Sequence, residues 1–226
     1  MLKVYEGKGY LVFPLAPLNE VTVIYTASSL GKSILALMLY FVVALPLYHN
    51  PWLFTPLGEP TNSVYLGCRS SARRIRKLWS SFLNMGFPSD ICRLHYHDFQ
   101  SRRDSKAVDE ADFVIVDSLN TVRMDLSVFK NKTVLIFAHP SFRRSSIFKG
   151  ANSWELYETP AEVKHWPWFV ERRPPAKKAL KLVLIPIQQG ELPPFGYRVE
   201  FRPESIEVYQ WRVTGIEVCK LTGKRW

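Results

Sequence analysis

A Gly-Lys-Ser triplet, Gly31-Lys32-Ser33, stands between a predicted buried strand, VTVIY at Val21–Tyr25, and an apolar run that predicts a helix over residues 33–44. In this setting, backbone N–H groups of the turn and of the helix N-terminus can bind a phosphate. The Lys32 ammonium adds positive charge, and the Ser33 hydroxyl can ligate Mg²⁺. The sequence therefore predicts a site for ATP or ADP with Mg²⁺. The predicted nucleotide-binding residues are Thr26, Ala27, Ser28, Ser29, Leu30, Gly31, Lys32 and Ser33.

Thr26 stands where a complete phosphate-binding loop, G-x-x-x-x-G-K-[ST], would have its first glycine. That position often requires a backbone conformation that is costly for a β-branched residue. The alternative interpretation is a Gly-Lys-Ser turn with no such role. The location between a strand and a helix favours the phosphate-binding interpretation.

Asp117 ends a second buried strand, FVIVD at Phe113–Asp117. A carboxylate at the carboxyl end of a strand beside the loop can support the Mg²⁺ shell, often through water. Ser33 and Asp117 are therefore the predicted metal residues. The alternative is an aspartate that simply ends an ordinary strand.

The order of elements predicts an α/β fold in which a mainly parallel twisted sheet is flanked by helices. Buried strands are expected at 21–25, 63–67, 113–117 and 133–137, and a shorter one at 92–96. Ser70 and Ser71 can cap a helix with an apolar and a basic face. Beyond residue 150, Pro-punctuated alternating runs at 179–187, 197–201, 205–211 and 215–221 predict antiparallel edge strands. We expect one domain over 1–226, with a lead-in at 1–18, a core at 19–150 and antiparallel C-terminal strands at 151–226.

The composition limits the class of protein. The chain has 226 residues and a formal net charge of +10, which favours polyanionic partners such as nucleic acid. Its three cysteines lack the spacing of a zinc ribbon or a disulfide framework, so we expect a cytoplasmic protein. His95 and His97 lack a clear third ligand and are interpreted as structural. The apolar run 34–47 contains Pro46 and is shorter than the roughly 20 residues that a bilayer core requires, so no membrane association is expected.

Taken in order, these motifs resemble the RecA, RadA and KaiC group of P-loop ATPases, which includes the recombinase paralogues. The resemblance rests on EVTVIY at 20–25, SVYLGC at 63–68, FVIVDSL at 113–119, KLVLIP at 181–186 and LPPFGYRVEF at 192–201. It implies a RecA-like P-loop core with a degenerate Walker A loop, a Walker B strand ending at Asp117, and closing C-terminal hairpins. Within this group, the chain resembles a divergent RadA paralogue.

Two departures from the family pattern bear on catalysis. The general-base glutamate of the family follows the second strand, where this chain has Cys68-Arg69-Ser70, and the polar residue that ends the fourth strand is replaced by Ala138 or His139. We therefore expect nucleotide binding with slow or absent hydrolysis, and the catalytic residues stay unknown. One alternative is an active KaiC-like or RadA-like ATPase whose base comes from Glu59 or a neighbouring subunit. The other is a nucleotide-free protein-interaction module on the same fold.

The segment 139–150 carries Arg143, Arg144 and Lys149 interleaved with Phe142 and Phe148. In the resembled family, the loop at this place contacts single-stranded DNA, and basic and aromatic residues suit a phosphate backbone and stacked bases. The alternative is a solvated loop. The resemblance thus implies an accessory factor in DNA recombination and repair that binds single-stranded DNA, or a RecA-family recombinase or paralogue. The early position of the nucleotide loop leaves no room for a separate DNA-binding domain, so we do not expect this chain to form filaments alone, although an oligomer is compatible with the resemblance.

Overall fold

A computed structural model describes residues 9–13, 15–27, 29–44, 55–56, 62–83, 94–98, 105–117, 126–158, 178–187, 195–201 and 206–212. Its strands are β1 (Tyr10–Phe13), β2 (Ala16–Pro17), β3 (Val21–Tyr25), β4 (Thr55–Pro56), β5 (Ser63–Gly67), β6 (Tyr96–Asp98), β7 (Phe113–Asp117), β8 (Thr133–Ala138), β9 (Asn152–Glu158), β10 (Lys178–Pro186), β11 (Phe195–Phe201) and β12 (Ile206–Arg212). Its α-helices are α1 (Ser29–Ala44), α2 (Ala72–Leu83) and α3 (Ser105–Asp109). Short 3₁₀ helices lie at Arg69–Ser71, Leu126–Phe129, Pro140–Arg144 and Ser146–Phe148.

The main sheet has nine strands in the order β12-β11-β10-β9-β3-β8-β7-β5-β6. The six strands from β9 to β6 are parallel to one another, and β10, β11 and β12 extend the sheet as antiparallel strands. A separate antiparallel sheet has the order β2-β1-β4. The predicted α/β class, with a mainly parallel sheet flanked by helices, is confirmed.

The central strands are buried along their whole length. In β7 and β8 every residue is buried, as expected for apolar strands that are covered on both faces. Ile115 and Leu135 pack on the face covered by α1 and α2, whereas Val114 and Val134 pack on the opposite face with α3 and the short 3₁₀ helices. Alternate residues of each strand therefore contribute to two cores, and polar side chains can enter at the strand ends.

Helix α1 is apolar nearly all round, and residues Ile34 to Phe41 are essentially inaccessible to solvent. The main sheet covers one side, and Leu11 and Val12 of the small sheet pack in the same core together with Leu15 of the β1–β2 turn. The small sheet thus gives the all-apolar helix the second cover that its sequence requires. None of the helices in the described ranges has the length and apolarity needed to cross a membrane.

Helix α2 is amphipathic, as its sequence predicts. Ile75 and Trp79 are buried against the core. The Trp79 ring stacks on Phe41 with centroids 4.0 Å apart and meets Tyr40 edge-on at 5.5 Å. These contacts fix α2 against α1, and Arg74 of α2 reaches Ser33 near the start of α1.

Two boundaries and one strand pairing differ from expectation. Helix α1 begins at Ser29 rather than near residue 33, so it includes Gly31. Strand β6 begins at Tyr96, later than the predicted 92–96 strand. Strand β9 falls in the segment for which only antiparallel strands are predicted, yet it pairs in parallel with β3 and antiparallel with β10. The predicted strand at 215–221 lies outside the described residues.

Candidate functional site

The carboxyl ends of the parallel strands bring the predicted site residues to one edge of the sheet. Tyr25 is level with Ala138, and Asp117 is level with Gly67 on one side and Phe137 on the other. The turn after β3 and the carboxylate that ends β7 therefore face the same space. This is the edge at which open α/β sheets bind their ligands.

Thr26 continues the pairing of β3 with β8, since its N–H donates to the Ala138 carbonyl at 3.0 Å. It is buried, and it is not among the described residues with positive φ, which are Asn19, Asn131 and Gly150. A threonine therefore meets no backbone strain here, so the expected cost of the missing glycine does not arise. Ala27 follows in the turn and is exposed, and Ser28 lies outside the described residues.

Residues 29–33 form the first turn of α1 rather than an open loop. The backbones of Ser29, Leu30 and Gly31 are helical, and Lys32 and Ser33 follow with buried side chains. The part of the predicted eight-residue loop from Ser29 to Ser33 is therefore helical. Lys32 and Ser33 are the fourth and fifth residues of this helix, so they lie close to its N-terminus.

Ser33 and Asp117 are in direct contact. The Ser33 Oγ–H donates to Asp117 Oδ2 at 2.7 Å, and the Tyr65 Oη–H donates to the same oxygen at 2.6 Å. All three side chains are buried. Two residues that the sequence predicts as a metal pair, 84 positions apart, are therefore adjacent, and Tyr65 holds the carboxylate from the neighbouring strand.

Lys32 is only 5% exposed. Its burial lowers the pKa of the ammonium; the Asp117 charge acts against that shift, and the Arg74 charge adds to it. Lys32 is therefore a desolvated cation that faces one carboxylate and one further cation. Such a group gains from an anionic ligand.

Arg74 enters the site from α2. Its Nη2 donates to Ser33 Oγ at 3.3 Å, so the serine accepts from the arginine while it donates to Asp117. The sequence gives Arg74 only as one of several basic residues on the outer face of a helix. No periodicity distinguishes it from Arg73, and the contact spans 41 positions of the chain.

The strand end beside Asp117 is packed by aromatic rings. Tyr65 stacks on Tyr96 with centroids 5.6 Å apart, and Tyr96 Oη donates to the Cys68 carbonyl at 2.6 Å. A Cβ on Gly67 would lie 2.8 Å from Tyr96 Cζ, so glycine is needed to admit the ring. Burial, followed by the Asp117 charge, raises the pKa of Tyr65 well above its usual value and keeps this hydroxyl a proton donor.

The place of the expected general base has no carboxylate. Cys68 follows β5, and its Sγ lies 3.1 Å from Ser70 Oγ and 3.0 Å from Ser71 Oγ. At the end of β8, Ala138 is buried, and His139 accepts the Ser141 N–H through Nδ1 as the N-cap of a 3₁₀ helix. Glu59, the alternative base, lies outside the described residues.

Ser33 Oγ and the Asp117 carboxylate are hard oxygen donors of the type that Mg²⁺ prefers. The fit is incomplete, because the Arg74 guanidinium already contacts Ser33 Oγ. Within the described ranges, no group of three or more His, Cys, Asp or Glu side chains is arranged to hold a metal. The serine and the aspartate would be the residues to support a magnesium ion, and Arg74 competes with it.

The predicted nucleic-acid residues lie around a second feature, an open pocket of ≈ 390 Å³. Arg143, Arg144 and Lys149 line it together with Tyr25 and Ser153. Burial raises the pKa of the Tyr25 hydroxyl, although the hydrogen bond with Ser153 and the Arg143 charge lower it in part. The three basic residues that the sequence singles out are therefore brought together at one opening.

Two details of this basic segment differ from the simplest expectation. Arg143 Nη1 donates to Glu155 Oε1 at 2.7 Å, which fixes its guanidinium against β9. Phe148 is buried and meets Tyr25 edge-on with centroids 6.4 Å apart, so the prediction that its ring could stack on a base is wrong. Phe142 is half-buried against the same core. All three basic residues are exposed at the opening, and Arg144 and Lys149 add positive charge to the Arg143 guanidinium, which is paired with Glu155.

A comparison with protein-family models finds no family that matches the chain, and a comparison with curated proteins finds no match.

Proposed function

We propose that this chain binds ATP or ADP at the N-terminus of α1, on a RecA-like core, with little or no hydrolysis. The observation that carries the proposal is the 2.7 Å hydrogen bond between Ser33 Oγ and Asp117 Oδ2 beside the buried Lys32. A lysine and a serine on the first turn of a helix, next to a strand-end aspartate, are the groups that a bound polyphosphate requires.

The topology supports the assignment to a RecA-like core. Strand β3, which leads into the turn, is central, and the strand that carries Asp117 lies in the same parallel sheet with only β8 between them. After β8 the chain crosses to the other side of β3 to form β9, so the strand order reverses beside the site. Ligands bind preferentially at such a switch point. The antiparallel strands β10 to β12, which extend the sheet beyond β9, are compatible with the closing hairpins of such a core.

Slow or absent hydrolysis follows from the residues beyond β5. Cys68 and its serine partners provide no carboxylate that could orient and activate water. A general base typically contributes 10²–10⁴-fold to the rate, so a site with lysine but no base at this position should retain the nucleotide rather than turn it over.

Binding of fluorescently labelled ATP and ADP to the wild type and to Lys32→Ala tests the proposal. We expect measurable affinity for the wild type and a loss of at least tenfold for Lys32→Ala. Lys130→Ala is the matched control, because this exposed lysine follows a 3₁₀ helix at the opposite edge of the sheet. Absence of wild-type binding up to millimolar nucleotide would contradict the proposal and favour the nucleotide-free interaction module.

A turnover assay on the same variants separates binding from catalysis. We expect little phosphate release, with and without single-stranded DNA. A robust rate that disappears in Lys32→Ala would instead identify the active KaiC-like or RadA-like ATPase.

We further propose that the basic pocket binds a nucleic-acid backbone, with single-stranded DNA as the first ligand to test. The observation that favours it is the exposure of Arg144 and Lys149 at one opening, beside the fixed guanidinium of Arg143. An accessory role in DNA recombination or repair, with DNA or a RecA-family recombinase as partner, rests on the family resemblance.

The salt dependence of single-stranded DNA binding tests this second function. Arg144→Ala and Lys149→Ala should each weaken binding and reduce the slope of log K against log salt by about 1. Lys106→Ala is the control, since Lys106 is an exposed lysine of α3 whose ion pair with Glu110 is also exposed. If all three variants bind like the wild type, another surface carries the interaction.

A further inference from the structure

The Arg74 guanidinium lies at the atom where a magnesium ion would bind. Its Nη2 is 3.3 Å from Ser33 Oγ and donates to it, whereas the hydroxyl proton of that serine is directed to Asp117 Oδ2. A hydroxyl ligates Mg²⁺ through a lone pair, and the cationic Arg74 already occupies one of the two lone pairs on this oxygen. The arginine and the metal therefore compete for one oxygen.

The charges around Ser33 oppose a divalent cation. Arg74 donates to Ser33, the residue that follows the buried Lys32, and Asp117 is the carboxylate that accepts from the same serine. Asp117 Oδ2 already accepts two hydrogen bonds, from Ser33 and from Tyr65. Addition of Mg²⁺ would place a third cation beside these two, with one carboxylate to share.

Arginine has the chemistry to replace the metal. Its guanidinium is permanently charged and presents several N–H donors in a fork that matches phosphate oxygens. One N–H group can remain on Ser33 while others meet a bound phosphate. Because Arg74 extends from the exposed face of α2, its head group can adjust to an incoming anion.

We propose that Arg74 takes the role of Mg²⁺ in this site, so that the chain binds the polyphosphate of ATP or ADP without a metal ion. This inference rests on the proposed nucleotide binding and adds to it the means of charge neutralisation. It also supplies a reason for slow turnover, since a guanidinium can neutralise the charge of a phosphate without supplying the metal-bound water shell of an active site.

The experiment measures the affinity for labelled ADP in excess Mg²⁺ and in excess EDTA. The wild type should bind with affinities that differ by less than threefold between the two conditions. Arg74→Ala should lose at least tenfold in EDTA and regain most of that affinity in Mg²⁺, because the serine and the aspartate then become available to the metal. Arg73→Ala and Arg76→Ala, exposed on the same helix, should behave like the wild type in both conditions.

Three results would overturn the inference while leaving the proposed function intact. One is a wild-type affinity that falls tenfold or more in EDTA. Another is an Arg74→Ala variant that binds as tightly as the wild type in EDTA. Loss of binding in Arg74→Ala under both conditions, with an unchanged melting temperature, would also overturn it, because the metal should rescue that variant. Absence of wild-type binding in both conditions would reject the nucleotide site itself, and the inference with it.

Discussion

The hydrogen bond between Tyr65 and Asp117 gives a quantitative test of how the carboxylate is held. Tyr65→Phe removes only the Oη atom and leaves the ring that stacks on Tyr96. The lost bond is short, 2.6 Å, and both partners are buried. A hydrogen bond to a charged group contributes about 1.5–3 kcal/mol, so the free energy of unfolding should fall by about that amount.

A double-mutant cycle isolates the pairwise energy. Urea unfolding of the wild type, Tyr65→Phe, Asp117→Ala and the double variant should give a coupling of about 1.5–3 kcal/mol. Tyr40→Phe serves as the control, because the Tyr40 hydroxyl donates to the Ser63 carbonyl at 2.9 Å rather than to the aspartate. Its cycle with Asp117→Ala should be additive within about 0.5 kcal/mol.

The cycle can also refute the reasoning. A Tyr65–Asp117 coupling below about 0.5 kcal/mol would mean that the tyrosine does not hold the carboxylate. If Asp117→Ala fails to fold, Asp117→Asn keeps an acceptor of the same shape, and the coupling should then fall toward the value of a neutral bond, about 0.5–1.5 kcal/mol.

Three further predictions concern the turn, the strand end and the basic segment. Burial lowers the pKa of Lys32, so the charged lysine destabilises the folded state at pH 7, and Lys32→Met should raise the free energy of unfolding there in the absence of nucleotide. In urea titrations, this gain should become smaller as the pH rises toward the ordinary lysine pKa of 10.5. A gain that does not depend on pH would contradict the prediction. Gly67→Ala should lower the free energy of unfolding by about 1–3 kcal/mol in thermal denaturation, because the new Cβ displaces the Tyr96 ring. In a Tyr96→Ala background the same substitution should have no such effect, and an equal loss in both backgrounds would refute this cause. Phe148→Ala should lower the free energy of unfolding by about 3–5 kcal/mol in urea denaturation, and Phe142→Ala by less than half of that, because Phe148 is buried whereas Phe142 is half-buried. Equally small losses for the two variants would mean that Phe148 is not part of the core.

The residues that the sequence does predict are those whose position follows from strand geometry. Val21–Tyr25 and Phe113–Asp117 are recognisable as buried parallel strands because their apolar runs are continuous. Parallel strands end at the same edge, so the residues that follow them meet there whatever the intervening chain does. This is why the proximity of Ser33 and Asp117 could be predicted across 84 positions.

Arg74 and Tyr65 could not be found in the same way. In the sequence, Tyr65 is an aromatic residue within an apolar strand, and the pattern gives no sign that its hydroxyl meets Asp117. Arg74 belongs to a run of basic residues on a helix, and which of them reaches the site depends on the packing angle of α2, set by the contacts of Trp79. Such contacts depend on tertiary packing, which hydropathy periodicity does not encode.

The charges in the site connect its burial with its proposed ligand. Lys32 and Arg74 face Asp117, so the cluster carries an excess of positive charge in a region where Lys32 has little access to water. Desolvation makes that excess unfavourable, and a polyphosphate would supply the missing negative charge at the N-terminus of α1. The same cluster gives a divalent cation little advantage, because the positive charge that a metal would bring is already present in Arg74. A site with this balance is suited to hold a nucleotide, and its lack of a base beyond β5 fits a role in which the bound nucleotide is retained.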